Sequence, residues 1–359
     1  MSDRVYNFNP GPATLPLDAL EKAKKEFLDY RDTGMSIIET SHRSPEFEGV
    51  LADAQALFKE LLGIPDNYHI LFMGGGASLQ FAMIPMNFIG DGGSADYINT
   101  GTWSTKAIKE ADIIAKGNVI ASSEDKNFCY IPENYNLTDG AAYLHITTNN
   151  TIKGTQWHNF PDTGATPLVA DMSSDILSYK FDVSKFAMIY AGAQKNLGPS
   201  GVTVILMRED FAAKAKEGLP TMLSYGTHIK KNSLFNTPPV FPIYMVKLVL
   251  DWVKKQGGLE KVEEINRKKA GMIYEAMDNS DGYYKGTAEV KDRSIMNLTM
   301  RMENEELEKK FIAKAKEKGL HGLKGHRSVG GIRASMYNAF PLKGAEKLAE
   351  FMEKFKKKN

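Results

Sequence analysis

The chain has 359 residues, 42% hydrophobic and 25% charged, with 45 Lys+Arg against 44 Asp+Glu for a formal net charge of +1. That length calls for two domains, or one large domain with an appendage, and the balanced charge supplies no global field to hold nucleic acid. Cys129 is the single cysteine, which excludes an intramolecular disulfide or a thiolate metal cluster and fits a reducing, cytoplasmic setting.

No apolar run approaches the roughly 18 residues of a membrane span, and the opening MSDRVYNFNPGPATLP lacks a signal-peptide core. Residues 1–15 read as an arm, because the prolines and glycine of NPGPATLP forbid regular structure. A helix is expected from Pro16 to Tyr30, where Leu17, Leu20, Ala23, Phe27 and Leu28 recur at helical spacing, and another over 46–62. Seven short apolar runs follow: His69–Met73, Ser94–Asn99, Val119–Ser122, Ala142–Thr147, Pro167–Ala170, Phe186–Tyr190 and Val202–Met207, with helical segments at Ala77–Phe88 and Ser104–Ala111. Buried strands alternating with helices imply α/β architecture with a mostly parallel seven-stranded sheet flanked by helices. In such sheets ligands bind beyond the carboxyl ends of the strands.

Residues 241–278 read as two helices broken at Gly257-Gly258, which marks a boundary. We expect a large domain over 16–258 and a smaller α+β domain over 259–359. The latter carries strands Ile295–Met302 and Gly331–Tyr337 and helices Glu305–Lys318 and Gly344–Lys357. The lysines of the closing KFKKK read as a solvated helix end.

Four strand exits hold unusual chemistry. HILFM-GGGASLQFAM puts free backbone amides at a helix start, either an anion site or a tight turn; it matches neither G-x-G-x-x-G nor the P-loop. YLHITTNNTIKGTQ runs into short hydrogen-bonding side chains around Thr151, a donor or simply a capped loop. In TPLVADMSSD, Asp171 leaves an apolar strand and needs a partner, which a protonated heterocyclic nitrogen or the N–H groups of a helix start would supply. In FAMIYAGAQKNLGPSGVTVILM, Lys195 sits on a loop of small residues between buried strands. A desolvated lysine loses its proton readily, as Schiff-base chemistry demands. Phosphate cradle, hydroxyl, carboxylate and amine, in this order, are the parts pyridoxal phosphate needs.

With these exits and the motifs NFNPGPATLP, SHRSPEF, FMGGGASLQF, NTGTWS, NNTIKGTQ, ADMSSDILS, AGAQKNLGPSGVT, FNTPP and GHRSVGGIRASMYNA, the chain resembles the phosphoserine aminotransferases nearly end to end. These are class V members of the fold-type I pyridoxal-phosphate enzymes. The resemblance implies amino transfer between O-phospho-L-serine and 2-oxoglutarate in L-serine biosynthesis, with a phosphorylated hydroxythreonine of vitamin B6 biosynthesis as a further substrate of relatives. It implies that Lys195 binds the cofactor covalently and moves the proton, and that Asp171 holds the pyridine nitrogen. Thr151 would bond the phenolic oxygen and Trp103 would stack on the ring. The amides of Ala77 and Ser78, with Gln194, would take the cofactor phosphate. Some relatives place an arginine where Ala77 stands; the amide contacts do not need that side chain.

The resemblance further implies a homodimer in which Asn236 and Thr237 reach across from the second subunit. It assigns the substrate α-carboxylate to Arg333, whose planar fork matches two oxygens. His42, Arg43, His326 and Arg327 would take the distal anion, with Asn9 near the substrate. No metal is expected. A cysteine desulfurase needs a mobile catalytic cysteine, and Cys129 lacks that context. Small-substrate aminotransferases have no use for paired His-Arg motifs. A non-catalytic ligand-binding module would carry no covalent chromophore.

Overall fold

The computed structural model describes residues 4–359, so residues 1–3 of the expected arm lie outside the described residues. The arm contributes strand β1 (Tyr6–Asn7), and helices α1 (Leu17–Glu26) and α2 (Pro45–Leu62) follow. Helix α1 ends at Glu26 rather than Tyr30. Beyond it, the Tyr30 N–H bonds the Met35 carbonyl at 2.8 Å and the Asp29 carboxylate takes the Gly34 N–H at 2.8 Å, so this stretch is committed to a loop. Leu28, placed by its spacing on the apolar face, is 82% exposed.

The large sheet is built from β2 (Tyr68–Met73), β3 (Ser94–Asn99), β4 (Lys116–Ser122), β5 (Leu144–Thr147), β6 (Leu168–Asp171), β7 (Met188–Gly192) and β8 (Thr203–Arg208). Helices α3 (Gly76–Phe88) and α4 (Thr102–Ile114) pack on one face. The strand order is β2-β8-β7-β6-β5-β3-β4, with only β8 running against its neighbours. The seven apolar runs thus became its seven strands. Strands β5, β6 and β7 are buried along their whole length, which is why they read as continuous apolar runs rather than alternating ones.

After short helices α5 (Glu209–Ala212) and α6 (Tyr225–Lys230), α7 (Val240–Lys255) and α8 (Gly258–Asp278) meet at Gly257-Gly258 as expected. The C-terminal part holds β9 (Lys285–Gly286), β10 (Asn297–Arg301), α9 (Glu305–Glu317), β11 (Leu320–His321), β12 (Ile332–Ser335) and α10 (Leu342–Lys356). Strands β12, β10 and β9 form an antiparallel sheet. Two features escaped the sequence reading. Strand β1 pairs in parallel with β11, Tyr6 beside Leu320, and Phe8 is buried in the C-terminal core. Helix α8 straddles both cores, with Leu259 and Val262 in the large one and Ala270, Ile273 and Met277 in the other. From the same helix, the fully buried Lys269 donates to the carbonyls of Met336, Tyr337 and Phe340. Its amine, pushed down to about 7 by burial, ties α8 to the segment after β12.

Candidate active site

The sheet brings the exits of β5, β6 and β7 side by side. Thr147 lies beside Asp171 and Asp171 beside Tyr190, so residues just beyond these strands converge. Lys195, on the loop that returns β7 into β8, is 9% exposed and donates from Nζ to Thr151 Oγ1 at 2.8 Å. Its Nζ lies 5.8 Å from the Trp103 ring centroid. Burial pushes this amine down to about 8; Asp171 and Asp175 draw it back up, while Arg333 opposes them. In cofactor-free protein, Lys195 labelling by an amine-selective reagent should therefore rise through about pH 8 rather than the ordinary lysine value of 10.5. Quantified by mass spectrometry, a midpoint near the ordinary value would refute the desolvated amine.

Asp171 ends β6 in full burial, and its Oδ1 accepts the Ser173 N–H at 2.9 Å. Burial raises its carboxyl above the usual range, while Ser173 and Lys195 hold it back. The local turn bond and the convergence on Lys195 therefore coexist.

Trp103 stands in the first turn of α4, with its buried Nε1 meeting no acceptor among the described residues. Lys106, one turn on, places Nζ 4.7 Å from the centroid of that indole. Ala77 and Ser78 occupy the first turn of α3, where amides have no intrahelical acceptor. The chain enters this turn through Gly75 at φ 88, and a Cβ there would come within 2.4 Å of Leu79. Only glycine presents the amides this way. Gln194 neighbours Lys195, and its carbonyl accepts the Ala13 N–H at 3.0 Å. The N-terminal arm therefore lies against the lysine loop, where a Cβ on Gly11 would come within 3.3 Å of Lys195 Cγ.

Arg333, on β12 and 5% exposed, donates from Nη1 to the Thr151 carbonyl at 3.2 Å, while its buried Nε has no partner among the described residues. Half-buried His326 is pushed down by burial and by the fields of Arg333, Arg327 and Lys106. Arg327 itself is exposed.

Five expected residues make no hydrogen bond or ion pair with these groups among the described residues. Asn9 is exposed and packs on Gly322, beside the β1–β11 pair. His42, half-buried, and Arg43, exposed, precede α2. Asn236 and Thr237 are exposed on the segment leading to α7. Two residues were missed. Lys106 looked like any solvated helix lysine, whereas Asp175 left a readable trace: a second acid four positions after Asp171 on the same buried turn.

A family model described as aminotransferase class-V matches residues 5–348. The chain belongs to the class-V aminotransferases. It is 56% identical to the phosphoserine aminotransferase of Desulfosudis oleivorans, over 100% of both chains. It superposes on the phosphoserine aminotransferase of Bacillus circulans subsp. alkalophilus with a TM-score of 0.98, at 56% identity over 99% of each chain. A PLP-bound phosphoserine aminotransferase from Trichomonas vaginalis aligns at a TM-score of 0.93 and 37% identity, over 98% of this chain and 100% of that one.

This class-V aminotransferase is a transaminase whose cofactor is pyridoxal 5'-phosphate. Its residues suit that group. A buried amine of lowered basicity, a buried carboxylate, an unpartnered indole N–H and a helix start with free amides are each costly or idle in the bare protein. When bound, pyridoxal phosphate supplies a carbonyl that condenses with amines and a ring that withdraws electrons.

Proposed function

We propose that this transaminase transfers the amino group between O-phospho-L-serine and 2-oxoglutarate, giving 3-phosphohydroxypyruvate and L-glutamate, in cytoplasmic L-serine biosynthesis. The observation that carries the substrate class is the group of cations around His326, of which Arg333 also acts on Lys195. Arg293 and Arg301 pair with Asp278 and Glu308, whereas Arg333, Arg327 and Lys106 have no carboxylate partner among the described residues. Cations without carboxylate partners, one of them acting on the buried amine, suit a substrate anionic at both ends.

In this reading Lys195 holds the cofactor covalently and, when free, takes and returns the proton of the reacting carbon. Asp171 gives the ring N–H an anion to bond. Thr151 donates to the ring oxygen, Trp103 covers the ring, and Ala77, Ser78 and Gln194 hold the cofactor phosphate. Arg333 takes the α-carboxylate and His326-Arg327 the distal anion.

A second copy of the chain supplies Asn236, Thr237, His42 and Arg43, none of which bonds to these groups within one chain among the described residues. Phe27, Leu28, Met35, Ile38, Met222 and Phe235, exposed in the neighbouring segments, suit burial against that copy. Steady-state assays test the substrate. kcat/KM for phosphoserine should exceed that for serine or alanine by at least about a hundredfold, since charge-assisted contacts contribute roughly 1.5–3 kcal/mol each. Comparable values for all three would sink the phosphoserine assignment.

A further inference from the structure

On the turn after Asp171 lies a second carboxylate that acts on Lys195 and that the proposed roles do not use. Asp175 is 1% exposed, and three side chains donate to it: Thr148 Oγ1 at 2.5 Å, Gln156 Nε2 at 3.2 Å and Tyr179 OH at 3.2 Å. Each donor comes from a part of the site that must hold still. Thr148 begins the loop carrying Thr151, and its N–H bonds the Asp171 carbonyl at 3.0 Å. One residue on, Asn149 and Ser174 lock loop to turn, Nδ2 donating to Oγ and Oγ to the Asn149 carbonyl, each at 2.8 Å. Gln156 cannot turn its amide over, because its Oε1 already accepts the Ile295 N–H at 2.9 Å. Tyr179 packs against the C-terminal core. The three donors engage both carboxylate oxygens, yet none of them is a cation.

We propose that Asp175 is a positioning residue for Lys195: its carboxylate ties the Thr151 loop to the Asp171 turn and sets a second negative charge behind the amine. A hydrogen-bonded clamp alone could be built from neutral groups. A carboxylate buried at such cost implies that its charge is used.

The charged and titratable groups around it are Asp171 on its own turn, Tyr179, Lys195 on the β7–β8 loop, and Tyr337 after β12, with Arg333 acting on Lys195. Burial and the nearby Asp171 push Asp175 up to about 7, against the pull of its three donors. Near pH 8, where Lys195 exchanges its proton, Asp175 is mostly ionised, and its charge fades as pH falls through about 7. Its negative charge favours the ammonium form of Lys195, offsetting part of what burial and Arg333 take away. The amine thus stays within reach of protonation near neutrality instead of being locked neutral, as a group that must both take and give a proton requires.

The test is the pH midpoint of Lys195 labelling in the full-length cofactor-free chain, read beside the pH titration of visible absorbance in the cofactor-loaded protein. Asp175→Asn should lower the labelling midpoint by about one pH unit and move the absorbance midpoint in the same sense. Tyr179→Phe, which keeps the carboxylate but removes one donor, should lower it by less. It also serves as the deciding variant should Asp175→Asn not fold. A midpoint unmoved in the folded variants would leave Asp175 a purely structural acid and overturn the proposal. The inference rests on Lys195 as the cofactor lysine. Finding the borohydride-reduced adduct on another residue would fail that assignment, whereas an adduct on Lys195 with an unmoved midpoint fails this one alone.

Discussion

Replacing Lys195 by methionine is expected to lower kcat by at least about a thousandfold while raising the melting temperature of the cofactor-free protein. In the proposed roles the loss follows from removing both the covalent attachment point and the acid–base group, the latter alone contributing roughly 10²–10⁴. The gain follows from burial. A fall from 10.5 to about 8 means the folded chain pays about 3 kcal/mol to hold this ammonium at neutral pH.

For a base whose folded value is depressed, the penalty is full below about pH 8 and fades as pH rises toward 10.5. Methionine keeps the stem volume, so little cavity cost intervenes. Losing the bond to Thr151 returns about 1 kcal/mol of the gain. Calorimetry of the cofactor-free proteins should show the variant melting a few degrees higher at pH 7, with the gap closing above pH 10. A variant less stable at pH 7 would mean that Lys195 is not desolvated. Borohydride should also fix no cofactor to the variant.

Arg333→Ala is expected to cut kcat/KM for phosphoserine by about thirtyfold to several thousandfold, with the cofactor still bound. Truncating one member of a buried, hydrogen-bonded charge pair costs about 2–5 kcal/mol. Arg333 is held ready for such a pair: buried, anchored on the Thr151 carbonyl through Nη1, and carrying an unpartnered Nε. Because Arg333 helps push His326 down, the variant should also raise the His326 titration midpoint, observable by NMR. Unchanged kinetics with an unchanged His326 would remove Arg333 from the substrate site. Loss of the visible chromophore would instead place it in cofactor binding.

The extent to which these sites could be read in advance follows their physics. Asp171 and Lys195 were legible because polar groups at the exits of strands buried on both faces are expensive and stand out against apolar runs. The GGG entry to α3 was legible because left-handed backbone calls for glycine. Asp175 was passed over because one acid at that turn already explained it, and no local pattern announces a three-donor cage assembled from Thr148, Gln156 and Tyr179. Lys106 gave no signal, since only the neighbouring indole distinguishes it from a solvated lysine.

By itself the sequence determined the seven strands, the break between α7 and α8 and the chemical character of each strand exit. All of these depend on residues adjacent in the chain: hydropathy runs, glycine at positive φ and an isolated charge beside apolar neighbours. Tertiary structure alone decided that β1 joins β11, that β8 runs against its neighbours and that α8 serves two cores. A two-residue strand has no periodicity to read, and strand direction is set by where the chain can return. The same holds for Lys195. Its loop marked it as buried, and burial lowers its basicity most, but the charges of Asp171, Asp175 and Arg333 that adjust that basicity act through space and only the fold brings them together.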